Sequence, residues 1–180
     1  MTARPQPGLF DMQMTAVFGG WDNIYRYELR RIWDDKLPLL VVCMLNPSTA
    51  DHQSNDPTIL ALIHFAKLWG YGGLLIVNLY AFRSSSPAAM FKAEDPVGLR
   101  NGDYLHLAIL YARDNGGRML AAWGNDGNER AFWTIERALN LGVELICLGT
   151  TQSGAPKHPM ARGLHRIPRD QQPIVWRQPR

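Results

Sequence analysis

Four short apolar runs govern what this chain can fold into: LLVVCML at Leu39–Leu45, GLLIVNLY at Gly73–Tyr80, RMLAAW at Arg118–Trp123 and VELICLG at Val143–Gly149. Each is strand length, and the first is apolar at every position, as a strand covered on both faces must be. The segments between them read as helices. Asp56-Pro57 is a cap followed by proline at the first helical position, and Ile59, Leu62, Ile63 and Ala66 then recur at helical spacing up to Gly70. Ser84–Ser86 and Pro87 open a short helix, a longer one covers Arg100–Asn115, and another covers Asn128–Asn140. Strand and helix in alternation predict an α/β fold: a three-layer α/β/α arrangement with a central four-stranded parallel sheet.

Ahead of the first run, residues 14–33 hold two β-rich stretches around the turn-like GGWDN, which predicts an N-terminal β-hairpin. Tyr25 and Tyr27 are expected to pack that hairpin on the sheet. Residues 1–12 show no periodicity and read as a loose arm. The 180 residues suit a single domain, and 46% hydrophobic with 19% charged residues is an ordinary globular mixture. Residues 1–150 carry 13 basic and 15 acidic groups, whereas residues 151–180 carry six basic groups against Asp170 alone. The last segment, 170–180 in particular, reads as a basic tail: either a solvated end or a phosphate-binding surface.

Several classes of function are excluded or made unattractive. Cys43 and Cys147 sit far apart in apolar runs, so they read as core thiols and cannot supply a four-thiolate metal site. No apolar stretch reaches the roughly 20 residues that span a bilayer, and the N-terminus lacks the apolar centre of a secretory signal. No membrane partner and a cytoplasmic location are therefore expected. There is no G-x-x-x-x-G-K-[ST] loop, and Gly70-Tyr71-Gly72-Gly73 does not complete G-x-G-x-x-G. H-E-x-x-H and G-x-S-x-G are absent as well. Asp51, His52, Asp56 and His64 could be drawn as metal ligands, but Asp56 is accounted for by capping and His64 by helix packing. No metal and no cofactor are expected, and a monomer is the working expectation.

In open α/β sheets the site lies beyond the carboxyl ends of the strands. Those ends carry Asn46-Pro47-Ser48-Thr49, Asn78, Trp123-Gly124-Asn125, and the loop Gly149–Pro159 with Lys157-His158-Pro159. Any one of them is ordinary turn chemistry. Four polar strand ends in register predict a shared crevice.

The combination YRYELRRIW, MLNPSTAD, DPT, NLYAFR, AWG and GAPKHP resembles a bacterial and phage domain-of-unknown-function family, family 1643, over nearly the whole chain. More distantly, the order of strand-end motifs resembles the uracil-DNA glycosylase superfamily. Leu45-Asn46-Pro47 matches its first motif, Leu75-Ile76-Val77-Asn78 its second, Ala122-Trp123-Gly124 its third and His158-Pro159 its histidine motif.

That resemblance implies a monofunctional DNA glycosylase, which hydrolyses the N-glycosidic bond of a base flipped out of DNA. His158 would then donate to the base carbonyl, Asn78 would read the base edge, and Asn46 would orient the water, with Asp51 the nearest carboxylate. Pro47 and Ser48 would border the base. Ser48 stands where the uracil-specific branch has a bulky Tyr, so a 5-substituted pyrimidine becomes admissible. Trp123 and Phe82, at strand ends, could stack on the base or belong to the core. Arg162 falls where the superfamily places a residue that wedges into the duplex, and Lys157, Arg166 and Arg169 would meet the DNA backbone. The sequence departs from the pattern in two places. Met160-Ala161-Arg162 follows the histidine motif instead of Ser-Pro-Leu, and Met44-Leu45 precedes Asn46 where a glycine is usual. A module that binds modified bases without cutting them, and a hydrolase of free nucleosides or nucleotides, are the competing expectations.

Overall fold

A computed structural model describes residues 12–179. The chain runs β1 (Gln13–Gly19), β2 (Tyr25–Ile32), β3 (Leu39–Met44), α1 (Pro57–Leu68), β4 (Gly73–Asn78), α2 (Pro87–Phe91), α3 (Asn101–Asp114), β5 (Arg118–Ala121), α4 (Asn128–Asn140), β6 (Glu144–Cys147) and β7 (Ile174–Arg177), with three short 3-10 turns between elements. The strands form one sheet in the order β1-β2-β4-β3-β5-β6-β7.

The fold is α/β, and the expected central four-stranded parallel sheet plus hairpin is one seven-stranded mixed sheet. β4, β3, β5 and β6 pair parallel, whereas β1, β2 and β7 join at the two edges in antiparallel register. The hairpin is not an appendage, because β2 pairs with β4 from Leu29–Ile76 to Ile32–Gly73. Within the expected basic tail, Ile174–Arg177 is strand β7, paired with β6. Of the expected loose arm, residues 1–11 lie outside the described residues, while Met12 is buried in the core.

Period-two alternation divides the buried side chains between two faces. Leu40, Val42, Met44, Leu74, Ile76, Leu120, Ala122, Ile146 and Leu148 pack beneath α1, which contributes Ile59, Leu62, Ile63, Phe65 and Ala66. Val41, Cys43, Leu75, Val77, Met119, Ala121 and Leu145 pack on the other side with Leu105, Ala108, Ile109 and Ala112 of α3 and Ala131 and Ala138 of α4. Cys43 and Cys147 are both buried free thiols, and desolvation pushes both above the ordinary thiol range. The Asp56 carboxylate caps α1 by accepting the Ile59 N–H at 2.9 Å, as its position before Pro57 requires. The connection leaving β3 enters α1 on one face, and those leaving β4 and β5 enter α3 and α4 on the other. Neighbouring connections thus diverge at the carboxyl end of β3, where such sheets open a crevice.

One irregularity changes which residues of β2 face the α1 side of the sheet. Between β1 and β2 the register slips, with Val17 opposite Glu28 and Phe18 opposite Arg26, leaving Tyr27 as an extra residue on β2. The bulge reverses the facing of the strand beyond it. Tyr27 stacks on Tyr104 of α3 at 5.4 Å and on Tyr25 at 6.1 Å, while Arg26 turns to the α1 face alongside Leu29 and Arg31.

Candidate functional site

At the end of β4, Asn78 shares the facing of Leu74 and Ile76 and so points to the α1 side of the sheet. It is 1% exposed, and neither its amide nitrogen nor its amide oxygen has a hydrogen-bond partner among the described residues. A buried polar group without a partner costs about 1–3 kcal/mol, so two on one side chain are a liability unless a ligand completes them. The backbone behind this amide is held firmly. Asn101, fully buried at the start of α3, donates its side-chain N–H to the carbonyls of Asn78 and Leu79 at 3.1 and 2.9 Å. Arg130 of α4 adds a second N–H to the Leu79 carbonyl at 3.3 Å.

Residues 46–56 roof the same side. Arg31 of β2, fully buried, fixes this loop by donating to the Asn55 side-chain oxygen at 2.6 Å and to the carbonyls of Asp51 and Ser54. Asn46 donates its amide N–H to the carbonyls of Pro47 at 3.1 Å and Ser84 at 2.8 Å, leaving its Oδ1 without a donor among the described residues. Pro47 is buried, and Ser48 makes no side-chain hydrogen bond to the described residues. Asp51 is spent on the loop itself: its Oδ1 accepts the N–H groups of Gln53 and Ser54 and the Ser54 hydroxyl, which hold its carboxyl below the usual range. Asp56 favours the charged form of Arg26, as Asp51 does, and also that of His158.

The loop after β6 brings in His158. It is held by the Lys157 N–H donating to the Gly149 carbonyl at 2.9 Å. The His158 Nδ1 accepts the Met160 backbone N–H at 3.1 Å, so the proton of the neutral ring sits on Nε2 as a free donor. Burial pushes this imidazole below its ordinary value, against the opposing pull of Asp56. The sign of the pH dependence follows. Between the depressed folded value and the unfolded one of about 6.5, the unfolded chain holds more protons, so stability falls as pH drops through that window. His158→Gln is expected to flatten this part of the stability curve, read as a smaller difference in melting temperature between about pH 7.5 and about pH 5.5. An unchanged difference would mean that His158 ionises freely in the folded state.

Other candidates lie elsewhere. Trp123 is 3% exposed on the opposite, α3–α4 face, with its indole in edge contact with Trp176 of β7 at 5.6 Å. Phe82 packs on that face too, against Tyr25 at 6.1 Å. Neither joins Asn78. Lys157 lies along Gly149, whereas Arg162, Arg166 and Arg169 gather around a cavity of about 630 Å³ between α1 and residues 159–169, with Leu60, Phe65 and Met160. His64 ties this segment down by donating from Nε2 to the Arg169 carbonyl at 2.7 Å. The cavity borders the His158 loop through Pro159 but includes neither Asn46 nor Asn78. Among the described residues no group of three or more His, Cys, Asp or Glu could hold a metal ion, and no helix is long and apolar enough to cross a membrane.

Two residues of this region carry no signal of function in the sequence. Arg26 sits in YRY and Arg83 in AFR, and only the bulge at Tyr27 and the pairing of Tyr25 with Phe82 bring them to one face. Asn101 reads as an ordinary early-helix residue. Its role as an anchor for β4 exists only in three dimensions.

No curated protein and no solved structure matches the chain. A family described as "Protein of unknown function (DUF1643)" matches residues 26–160, from Arg26 through Asn46, Asn78 and His158, stopping short of the arginines at 162, 166 and 169. With three quarters of its length matched, the chain belongs to this family.

Proposed function

We propose that the crevice beside Asn78 binds a nucleobase, and that the protein is a glycosylase-like enzyme that hydrolyses the N-glycosidic bond of a base flipped from DNA. The observation that carries this reading is the buried Asn78 amide. It offers one donor and one acceptor, both unused within the described protein, side by side as the edge of a pyrimidine requires. Cleavage breaks the bond between sugar and base, with the electron pair leaving on the base, the water oxygen adding to the sugar carbon and the proton that water loses ending on the departed base. The Nε2–H of His158 then donates to the base carbonyl as negative charge develops there. The unengaged Oδ1 of Asn46 orients the water, and Asp56 supplies the nearby negative charge that favours a cationic sugar. Ser48 leaves room for a substituent at the pyrimidine 5-position. Arg162, Arg166 and Arg169, around a cavity that borders the His158 loop, supply a basic surface for the strand.

One observation favours a second reading, in which the base is recognised and not cut. The carboxylate nearest Asn46 in sequence, Asp51, is consumed by its own turn, and the Asn46 amide N–H groups are bound to backbone. Base release decides between the two. DNA duplexes and single strands carrying uracil, 5-hydroxymethyluracil, hypoxanthine, mismatched thymine and phage-type modified pyrimidines are incubated with the protein, and abasic sites are then cleaved with alkali. The account predicts strand cleavage on at least one substrate, reduced about 10²- to 10³-fold in His158→Ala. Tight, salt-sensitive binding without any product would leave a reader of modified bases. Neither product nor binding would overturn the DNA reading.

A further inference from the structure

Arg26 is 3% exposed, yet it forms no ion pair with any described residue. Its Nη1 donates to the Ala50 carbonyl, and its Nε is buried without a partner among the described residues. A guanidinium taken out of water without a bound anion costs several kcal/mol, which folding alone gives no reason to retain. Arg83 repeats the pattern: its Nη1 donates to the Asn23 carbonyl at 3.2 Å, its plane lies over the Phe18 ring at 5.0 Å, and its Nε is also buried and unpartnered.

The two arginines belong to one face. Tyr25 pairs antiparallel with Phe82, the Arg26 N–H donates to the Ala81 carbonyl and the Arg83 N–H to the Ile24 carbonyl. Arg26 and Arg83 are therefore diagonal neighbours across the pair, both turned away from the Tyr25–Phe82 contact. The charge of Arg83 disfavours the charged form of Arg26. The charged groups facing Arg26 are Asp51, Asp56, Arg31 and Arg83. Asp51 and Asp56 keep their charges while they accept backbone N–H groups, so with Arg26 itself the group holds three positive charges against two negative. Positive charge is left over, and it lies one strand from Asn78 on the same side of the sheet.

We propose that Arg26 and Arg83 form a buried anion subsite for a phosphate attached to the molecule whose base Asn78 reads, so that the ligand is a nucleotide and not a bare base or nucleoside. The inference rests on the nucleobase reading of Asn78 for the identity of the rest of the ligand. A guanidinium pair on the same side of the sheet as the amide provides forked N–H donors of the kind that hold phosphate oxygens. The phosphate belongs either to a free nucleotide or to the strand from which the base is turned out.

The test compares four probes by melting shift and calorimetry on the full chain: inorganic phosphate, deoxyuridine, deoxyuridine 3′,5′-bisphosphate and a uracil-containing oligonucleotide. The wild type should bind the bisphosphate roughly 10- to 100-fold more tightly than deoxyuridine. Arg83→Gln and the charge-keeping Arg26→Lys should each remove most of that preference, with affinity for deoxyuridine unchanged. Arg83 is partly exposed, so its variant stays informative even if substitution of buried Arg26 impairs folding. A preference that survives both variants overturns the subsite, as does failure of both bisphosphate and inorganic phosphate to raise the melting temperature. If inorganic phosphate stabilises the wild type but neither variant, while deoxyuridine binding is absent or indifferent to Asn78→Ala, the anion subsite stands and the nucleobase reading falls. An oligonucleotide that binds far more tightly than the bisphosphate, with the same arginine dependence, assigns the phosphate to a strand. The reverse order assigns it to a free nucleotide.

Discussion

Asn78→Leu is expected to make the protein more stable by about 2 kcal/mol, raising its melting temperature by roughly 4–8 °C, while abolishing ligand binding. The reasoning starts from the side chain's surroundings. Leucine has nearly the shape of asparagine, and the α1 face around Asn78 is built from Leu74, Ile76, Met44 and Val42. The substitution removes two buried polar atoms that have no partner among the described residues and adds apolar contact in their place. A residue retained purely for the fold would show the opposite, a loss on replacement. Stability gained together with binding lost is the mark of a group kept for function at the expense of the folded state. Thermal melts of both proteins, with and without nucleotide, measure the two effects. A destabilised Asn78→Leu variant would mean that the amide has a structural partner, and the site assignment would fail with it.

Arg31→Ala is expected to do the reverse, lowering stability by roughly 4 kcal/mol. This guanidinium is as buried as that of Arg26 but fully employed: it donates to the Asn55 side chain and to the carbonyls of Arg30, Asp51 and Ser54. Truncation leaves those acceptors unsatisfied and opens a void beneath the loop that roofs the crevice. Chemical denaturation is the direct readout, and nucleotide affinity should fall with it because Asn46 and Asp56 flank the loop that Arg31 holds. A loss below about 1 kcal/mol would show that water replaces the arginine at little cost. Arg31 has acceptors for its donors, whereas Arg26 and Arg83 hold donors that still await one.

The apolar runs of the sequence were enough to locate β3, β4, β5 and β6, and Asp56-Pro57 to locate the start of α1, because burial and capping act over a few neighbouring residues. The hairpin was legible too, from its turn, but not the β7 edge. IVWR is a short stretch in a basic segment, and it becomes a strand through pairing with β6 and through Trp176 resting on Trp123. The sequence also offers no means of knowing which face a strand-end residue takes. Asn78 and Trp123 both stand at strand ends, yet one follows the facing of Ile76 toward α1 and the other that of Ala121 toward α3 and α4. That choice depends on which side each crossover helix packs. The bulge at Tyr27 is a further case, since a single extra residue re-aims Arg26 and no local composition marks it. Asp51 and Asp56 show the same limit for carboxylates. Both stand near the first strand-end motif, and only the hydrogen bonds of the folded loop separate the one consumed by a turn from the one that acts on His158.

The central claim is that the Asn78 amide meets a nucleobase edge, and the most direct measurement watches that amide. In protein labelled with nitrogen-15, the Asn78 side-chain N–H pair, assigned by its disappearance in Asn78→Leu, is followed during titration with deoxyuridine 3′,5′-bisphosphate and its 5-hydroxymethyl analogue. The account predicts that both protons shift saturably and exchange more slowly with solvent, together with the His158 ring signals. Saturable binding that leaves the Asn78 pair unmoved, or that persists unaltered in Asn78→Leu, would contradict it.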